Sequence, residues 1–316
     1  MAFTKTHFAI FALCVLTGLA LPGESRAQSK TEASESQKKT EPQVKPKKPS
    51  EHFMRIRKDY RGRLTALETS ITRYELENAK GETVTVDLIG AVHIGEKEYY
   101  ETLNKRFEQY DSMLYELVAP EGTVVPKGGR ATDGIPTNPL AAMQVGMQES
   151  LGLEFQLELI DYNKDNFKHA DMSPEEFSES MVANDESLLK YGLKAIGQSM
   201  AMQAAGNQSA DSIGMLMAAF SSNKEMHMRR MFAKQIKKME AGMVIFQGKD
   251  GSTIVTHRNA KCMEILQQEI ASGKTNLAIF YGAAHLPDME RRLFSDFKAK
   301  RGGQDWLEAW RLREKK

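Results

Sequence analysis

Two four-residue turns, each placed directly after an apolar strand, constrain the fold of this chain more than any other feature. Gly90-Ala91-Val92-His93 follows the β-branched run 83–89, and Gly282-Ala283-Ala284-His285 follows the apolar run 277–281. In open α/β sheets the ligand crevice lies at the carboxyl ends of the strands. The repeated turn therefore predicts that both histidines face one crevice. We also expect Gly90 and Gly282 to take positive φ, which glycine adopts freely where a chain turns sharply.

The first turn lies within a predicted strand–helix–strand unit. After strand 83–89, apolar side chains recur at helical spacing up to Phe107, and residues 112–118 predict a second strand. Strands joined by such a crossover are parallel. Residues 156–162 predict a third strand.

The C-terminal part repeats this order of elements. A helical pattern covers about 254–270, the strand at 277–281 follows, and another helix is predicted from about Pro287. The sequence thus predicts an α/β fold with a central mixed, mostly parallel sheet flanked by helices.

A Met- and Ala-rich segment at about 174–243 separates the two halves and predicts a helical insertion. It contains no apolar stretch of membrane-spanning length without a polar break. A lid and an interaction surface both remain open as roles for it.

The N-terminus has the composition of a secretory signal peptide. A cation at Lys5 precedes an apolar run that ends at Pro22, and small residues at Ser25 and Ala27 suit cleavage after residue 27. Residues 28–50 are rich in Lys, Ser and Pro, which predicts a disordered linker. We therefore expect an exported protein, periplasmic or extracellular, whose folded domain covers 51–316.

Charge and cysteine content limit the partners and the cross-links. The formal net charge is +1, which gives no indication of a nucleic-acid partner. Once the signal peptide with Cys14 is removed, Cys262 is the remaining cysteine, so an internal disulfide is excluded.

Three further polar residues are candidates for chemistry. Glu116 interrupts the apolar run 112–118, where a carboxylate is costly unless it is paired or bound to a metal; a solvated strand edge is the alternative. Arg258 and Asn259 open the helix before the second histidine turn. A guanidinium and an amide can orient carboxylates or stabilise developing negative charge, although a surface cap would also explain them.

His169 and Asp171 follow the third predicted strand and could reach the same crevice. A helix cap is the competing explanation for this segment. Ser173, Pro174 and Glu176 have the spacing of a capping box with proline at the first helical position.

Taken in order, the two histidine turns, Glu116 and the Arg258-Asn259 pair resemble the TraB/GumN/Tiki family, which has two Gly-x-x-His motifs, a glutamate after the first and an Arg-Asn pair before the second. The resemblance covers roughly residues 80–122 and 240–298. It implies a sheet flanked by helices, related to the ChaN-like and erythromycin-esterase-like proteins. For the animal Tiki branch it implies a metal-dependent protease that cleaves a secreted signalling protein.

The residues and the resemblance together suggest an exported metal-dependent hydrolase. His93 and His285 would bind one divalent ion, with Glu116 as third ligand or general base, and two imidazoles and a carboxylate would leave positions open for water. The sequence does not distinguish Mn, Co and Zn. Arg258 and Asn259 would orient substrate or stabilise an intermediate.

The resemblance implies a peptide as the expected substrate, with small-molecule esters second. No stable membrane insertion is expected after signal cleavage. The alternatives are a non-catalytic protein that binds haem, metal or a signalling peptide, and a structural envelope factor that keeps the fold.

Export gives the first prediction. Protein isolated from the native envelope should begin near Gln28 and should be released without detergent, because the sequence after Ala27 has no apolar anchor. N-terminal sequencing by mass spectrometry measures this. An intact Met1–Leu21 segment in the membrane fraction would contradict it.

Overall fold

A computed structural model describes residues 53–126, 148, 150–187, 190, 223–246 and 251–314. Outside these residues lie the predicted signal peptide (1–27), the predicted linker (28–50) and the middle of the predicted insertion.

The described strands form one large mixed sheet and a small separate pair. In chain order they are β1 (Met54–Lys58), β2 (Leu64–Glu77), β3 (Thr83–Ala91), β4 (Ile94–Gly95), β5 (Ser112–Tyr115), β6 (Glu154–Phe155), β7 (Phe167–His169), β8 (Asn276–Gly282) and β9 (Lys300–Arg311). The large sheet has the order β1-β2-β3-β8-β5-β7, with β9 also paired to β2, while β4 and β6 pair with each other.

Four strands of the large sheet run parallel and include both predicted histidine-bearing strands. β8 lies between β3 and β5 and is parallel to both, and β7 is parallel to β5. The predicted α/β fold is confirmed, and so is the parallel orientation of the strands at 83–89 and 112–118. β8 lies between these two strands. The C-terminal part of the chain therefore supplies a central strand of the sheet.

The other part of the sheet is antiparallel, as a mixed sheet requires, but the positions of its strands β1, β2 and β9 were not predicted. β2 pairs antiparallel with β1, β3 and β9. Its 14 residues begin against β1 and end against β3, so β2 joins the parallel strands to the N-terminal hairpin.

Helices follow the predicted positions with one exception. The described helices are α1 (Lys97–Phe107), α2 (Gln156–Leu159), α3 (Pro174–Ala183), α4 (Lys224–Phe246), a π-helical turn (Thr253–His257), α5 (Arg258–Ala271) and α6 (Leu286–Ser295). The predicted strand at 156–162 is wrong: a single helical turn, α2, occupies its start. The third parallel strand is β7, which has only three residues and therefore no recognisable periodicity. α3 and α4 lie at the two ends of the predicted insertion.

Two apolar cores cover the two faces of the large sheet. One contains the buried side of α1, including Leu103 and Phe107. The other contains the buried sides of α5 and α6, including Leu266 and Met289. Within the described ranges, no helix is both long and apolar enough to cross a membrane.

Trp310 connects the last strand to the segment that carries His93. It is fully buried, and its indole N–H donates to the backbone oxygen of Ile94 over 2.6 Å. Trp306, four residues earlier on β9, is only partly buried and lies under the Arg55 guanidinium at 4.1 Å.

The two tryptophans provide a matched comparison of stability. Trp310→Phe should lower the free energy of unfolding by about 2 kcal/mol, because it leaves a buried carbonyl without its donor and a gap in the core. Trp306→Phe should cost less than about 1 kcal/mol. Urea denaturation measures both, and equal losses would show that the Trp310–Ile94 contact is unimportant.

Candidate active site

Strand register brings the candidate residues together at one end of the sheet. In adjacent strands, Ala91 pairs with Gly282 and Tyr115 pairs with Phe280. His93, His285 and Glu116 follow these positions by one to five residues, at the carboxyl ends of β3, β8 and β5. The crevice position expected for an open α/β sheet is therefore occupied by the predicted residues.

Gly282 lies at the centre of this group. A Cβ built on it would lie 3.3 Å from Glu116 Oε2, 3.7 Å from His285 Cδ2 and 3.9 Å from His93 Nε2. A side chain at this position would crowd the carboxylate. His93 is exposed, whereas His285 is buried, so the group opens to solvent on the His93 side.

The expected role of the turn glycines needs correction. Gly90 and Gly282 are not among the described glycines with positive φ. Gly282 is required for space, because Glu116 Oε2 also accepts a 2.6 Å hydrogen bond from its backbone N–H. At Gly90 a Cβ would lie 3.4 Å from the Ala283 and Leu286 side chains, which is an ordinary packing distance, so neither positive φ nor lack of space accounts for glycine there.

Glu116 lies just after β5 rather than inside a strand, and it is 7% exposed. The solvated-edge alternative is therefore excluded. Its Oε1 accepts from Arg258 Nη2 at 2.9 Å, and its Oε2 accepts from Gly282. Burial opposes ionisation, but His285, Arg258, His93 and the Gly282 N–H outweigh it and lower the pKa of Glu116 to about 2. The carboxylate is thus ionised at neutral pH.

Arg258 is held on several sides at once. Its Nε donates to Asp171 Oδ1 at 2.9 Å, its Nη2 donates to Asp171 Oδ2 as well as to Glu116, and its Nη1 donates to the backbone oxygen of Ile254. Arg258 and Asp171 are both 2% exposed. Ile254 belongs to the π-helical turn that precedes α5, an irregularity often found near functional sites. The guanidinium is therefore oriented by Asp171 and directed at Glu116.

Asn259 determines which nitrogen of His285 carries the proton. Its Nδ2 donates to the backbone oxygen of His285 at 3.1 Å and to Asp288 Oδ2 at 3.0 Å. The Asn259 Oδ1 is thereby left as the acceptor for His285 Nδ1 at 2.7 Å. Nδ1 is the protonated atom, and Nε2 keeps its lone pair.

The lone pair on His285 faces the ionised carboxylate. His285 Nε2 lies 3.5 Å from Glu116 Oε1. Burial lowers the pKa of His285 to about 4 against the opposing effect of Glu116, so no proton occupies Nε2 at neutral pH. Two electron-pair donors thus face each other in a buried site, an arrangement that a cation between them would stabilise.

The donor set fits a divalent ion in chemical type. Two atoms each about 2.1 Å from one tetrahedral ion are separated by about 3.4 Å, close to the observed His285–Glu116 distance. Asn259 holds the other ring nitrogen of His285, which is the usual arrangement around a metal-binding histidine. The buried carboxylates of Glu116 and Asp171 share a single guanidinium, so the cluster carries a net negative charge. Over the described part of the chain, no group of three or more His, Cys, Asp or Glu side chains already has metal-binding proximity.

The remaining sequence candidates are arranged differently. His169 Nε2 lies 2.6 Å from the backbone oxygen of Leu117, so this ring contacts the segment after Glu116 rather than Glu116 itself. Ser173 forms the predicted capping box with Glu176 at the start of α3.

Sequence reasoning missed Asp288, which fixes Asn259 and accepts from Arg292 at 2.8 Å. Its position three residues after His285 was the available signal, but an acidic residue in the first turn of a helix is common for other reasons.

A separate groove, with a volume of about 550 Å³, lies between the β2–β3 turn and α5. Its lining includes Lys80, Met263, Gln267 and Phe297, and none of His93, Glu116 and His285.

Comparisons with known proteins add no relative: no family model, curated protein or solved structure matches this chain.

The pKa of His285 gives a prediction about stability. The folded protein keeps this ring neutral down to about pH 4, whereas the unfolded chain takes up the proton below about pH 6.5. The unfolded state therefore binds more protons between these values, and the stabilising contribution falls as pH falls. With a chelator present, the difference in free energy of unfolding between wild type and His285→Gln should shrink by on the order of 2 kcal/mol from pH 7 to pH 4.5.

Urea denaturation at several pH values measures this difference. His227→Gln is the matched control, because that ring is exposed on α4, and it should follow the wild-type profile. Parallel profiles for wild type and His285→Gln would show that His285 is not held neutral by burial.

Proposed function

We propose that this protein is an exported metal-dependent hydrolase, and that His93, His285 and Glu116 form its metal-binding site. One observation carries the proposal: the unprotonated Nε2 of buried His285 and the ionised Oε1 of Glu116 lie 3.5 Å apart with no proton to share. A divalent ion held there supplies Lewis-acid activation of water and of a substrate carbonyl.

The contacts of Glu116 favour a role as ligand over a role as general base. A general base works best when its pKa is near the working pH, whereas the pKa of Glu116 is lowered to about 2. Its two hydrogen bonds, from Arg258 and Gly282, leave lone pairs on both oxygens. Glu116 therefore contributes negative charge and a donor atom.

Arg258 acts through Glu116 and not by touching substrate. Its donors are directed at Asp171, Glu116 and Ile254, and the side chain is almost completely buried. It orients the carboxylate and keeps it ionised. Asn259 has the parallel role for His285, because it holds Nδ1 and so presents Nε2.

Substrate enters on the His93 side, where the group is exposed. His93 is thus the ligand placed to contact both the ion and the incoming substrate. A peptide is the expected substrate class, which rests on the resemblance of the two histidine turns, Glu116 and the Arg258-Asn259 pair to the TraB/GumN/Tiki family.

Paired histidine variants test the shared ion. His93→Ala and His285→Ala should each reduce metal affinity by roughly 100-fold or more, and the double variant should be little worse than either single variant, because the two ligands act as a unit. Metal per chain is measured by elemental analysis after dialysis. Cleavage of a peptide library, measured by mass spectrometry, should follow the same pattern. His227→Ala is the control and should leave both unchanged.

Additive losses, or metal content equal in all variants, would reject the shared site.

Glu116→Gln separates the two possible roles of this residue, metal ligand and general base. Loss of metal together with cleavage marks Glu116 as a ligand, whereas retained metal with no cleavage marks it as the base. If the wild-type protein binds metal and captures a peptide but does not cleave it, the binding-protein alternative would be favoured instead.

A further inference from the structure

The β1–β2 hairpin forms an exposed, basic surface that takes no part in the proposed chemistry. Its strands are connected through residues 59–63, and Tyr60 at the tip is 87% exposed, the highest value among the large apolar side chains that the structure describes. Lys58 and Arg61 beside it are also exposed and have no ion pair within the described ranges. An aromatic ring between two such cations suits a boundary between water and an apolar phase.

The turn that presents Tyr60 is fixed by its own acidic residue. Asp59 Oδ1 accepts from the backbone N–H groups of Arg61 and Arg63, both at 2.9 Å, and Asp59 Oδ2 accepts from Arg63 Nε at 2.7 Å. Gly62 takes a φ of +76°, which closes the turn without strain. The carboxylate is thus used inside the loop, and its ion pair is with Arg63.

Positive charge extends from the hairpin to the C-terminal residues beside it. Seven cations lie in this surface: Arg55, Arg57, Lys58, Arg61, Arg63, Arg311 and Arg313. The carboxylates that form ion pairs with them are fewer: Asp59, Glu68 and Glu308. Glu314 follows Arg313 in sequence, and Glu96 accepts from the Arg311 backbone N–H but forms its ion pair with Arg229. Glu68 and Glu308 each contact more than one arginine, so the surface keeps a net positive charge.

The hairpin projects from the same end of the sheet as the candidate active site. β2 runs antiparallel to β3, with Ile71 opposite Ile89, so the start of β2 extends past the carboxyl end of β3, where His93 lies. Contact through the hairpin would therefore hold the active-site end of the domain against the surface that it touches.

We infer that this hairpin surface docks the protein reversibly onto an anionic phospholipid bilayer. The cations supply attraction to the headgroup charge, and Tyr60 enters the interface between headgroups and acyl chains. This inference is independent of the proposed hydrolysis, because it uses none of the residues proposed to bind the metal.

Vesicle co-sedimentation of the full mature chain tests the inference. Wild type should bind vesicles of phosphatidylglycerol and phosphatidylcholine better than pure phosphatidylcholine, and binding should weaken with salt. Lys58→Gln with Arg61→Gln should weaken partition by roughly 10- to 30-fold, at about fivefold for each cation removed. Tyr60→Ser should weaken binding while keeping its salt dependence.

Lys80→Gln with Lys105→Gln is the matched control. It removes the same charge from exposed side chains near the opposite end of the sheet, and it should bind as wild type does. The lysine-rich segment 28–50 is present in every variant, so a difference between the two pairs belongs to the hairpin. The inference would be overturned if the hairpin double variant and the control double variant weakened binding equally, or if the hairpin double variant had no effect. Equal binding of wild type to the two vesicle types would also overturn it. Melting temperatures within a degree or two of wild type verify that each variant is folded.

Discussion

The architecture of the site depends on one buried guanidinium. Arg258 contacts Asp171 and Glu116 simultaneously, and these carboxylates follow two different strands. Breaking a buried ion pair by removing one partner typically costs about 3–5 kcal/mol, because the remaining charge stays unpaired. The first residue of α5 thus fixes the ends of β5 and β7 relative to the second histidine turn. Asp171 and Glu116 together exceed the charge of Arg258, which leaves the cluster able to accept a cation.

Strand order explains how residues so distant in sequence meet. β8 is formed late in the chain, yet it lies between β3 and β5, so Gly282 becomes the neighbour of both His93 and Glu116. The absence of a side chain at Gly282 allows this approach, since a Cβ would lie only 3.3 Å from the carboxylate. Asn259 and Asp288 then set the tautomer of His285 from the opposite side. Contacts on both sides of the His285 ring therefore fix its orientation and its tautomer.

The sequence predicted three of the four parallel strands, β3, β5 and β8, and most helices because their patterns are local. Apolar strands ending at Gly90 and Gly282, and the periodicity of α1 and α5, are each contained in a short window. β2 and β9 were missed because charged residues interrupt them, and β9 contains Gly302-Gly303, which resembles a turn. Repetition of the histidine turn identified His93 and His285. The bond from Asp171 to Arg258 spans 87 residues, and no local pattern specifies such a contact.

The most direct measurement of the shared-ion account is a crystal structure of the mature protein incubated with Mn²⁺, Co²⁺ or Zn²⁺, with anomalous scattering recorded at the edge of the metal. The account predicts one strong peak between His285 Nε2 and Glu116 Oε1, with His93 Nε2 as a further ligand; for zinc, the metal–nitrogen distances should be about 2.0–2.1 Å. A structure with no peak at this position, or with the two imidazole rings more than about 6 Å apart, would contradict it.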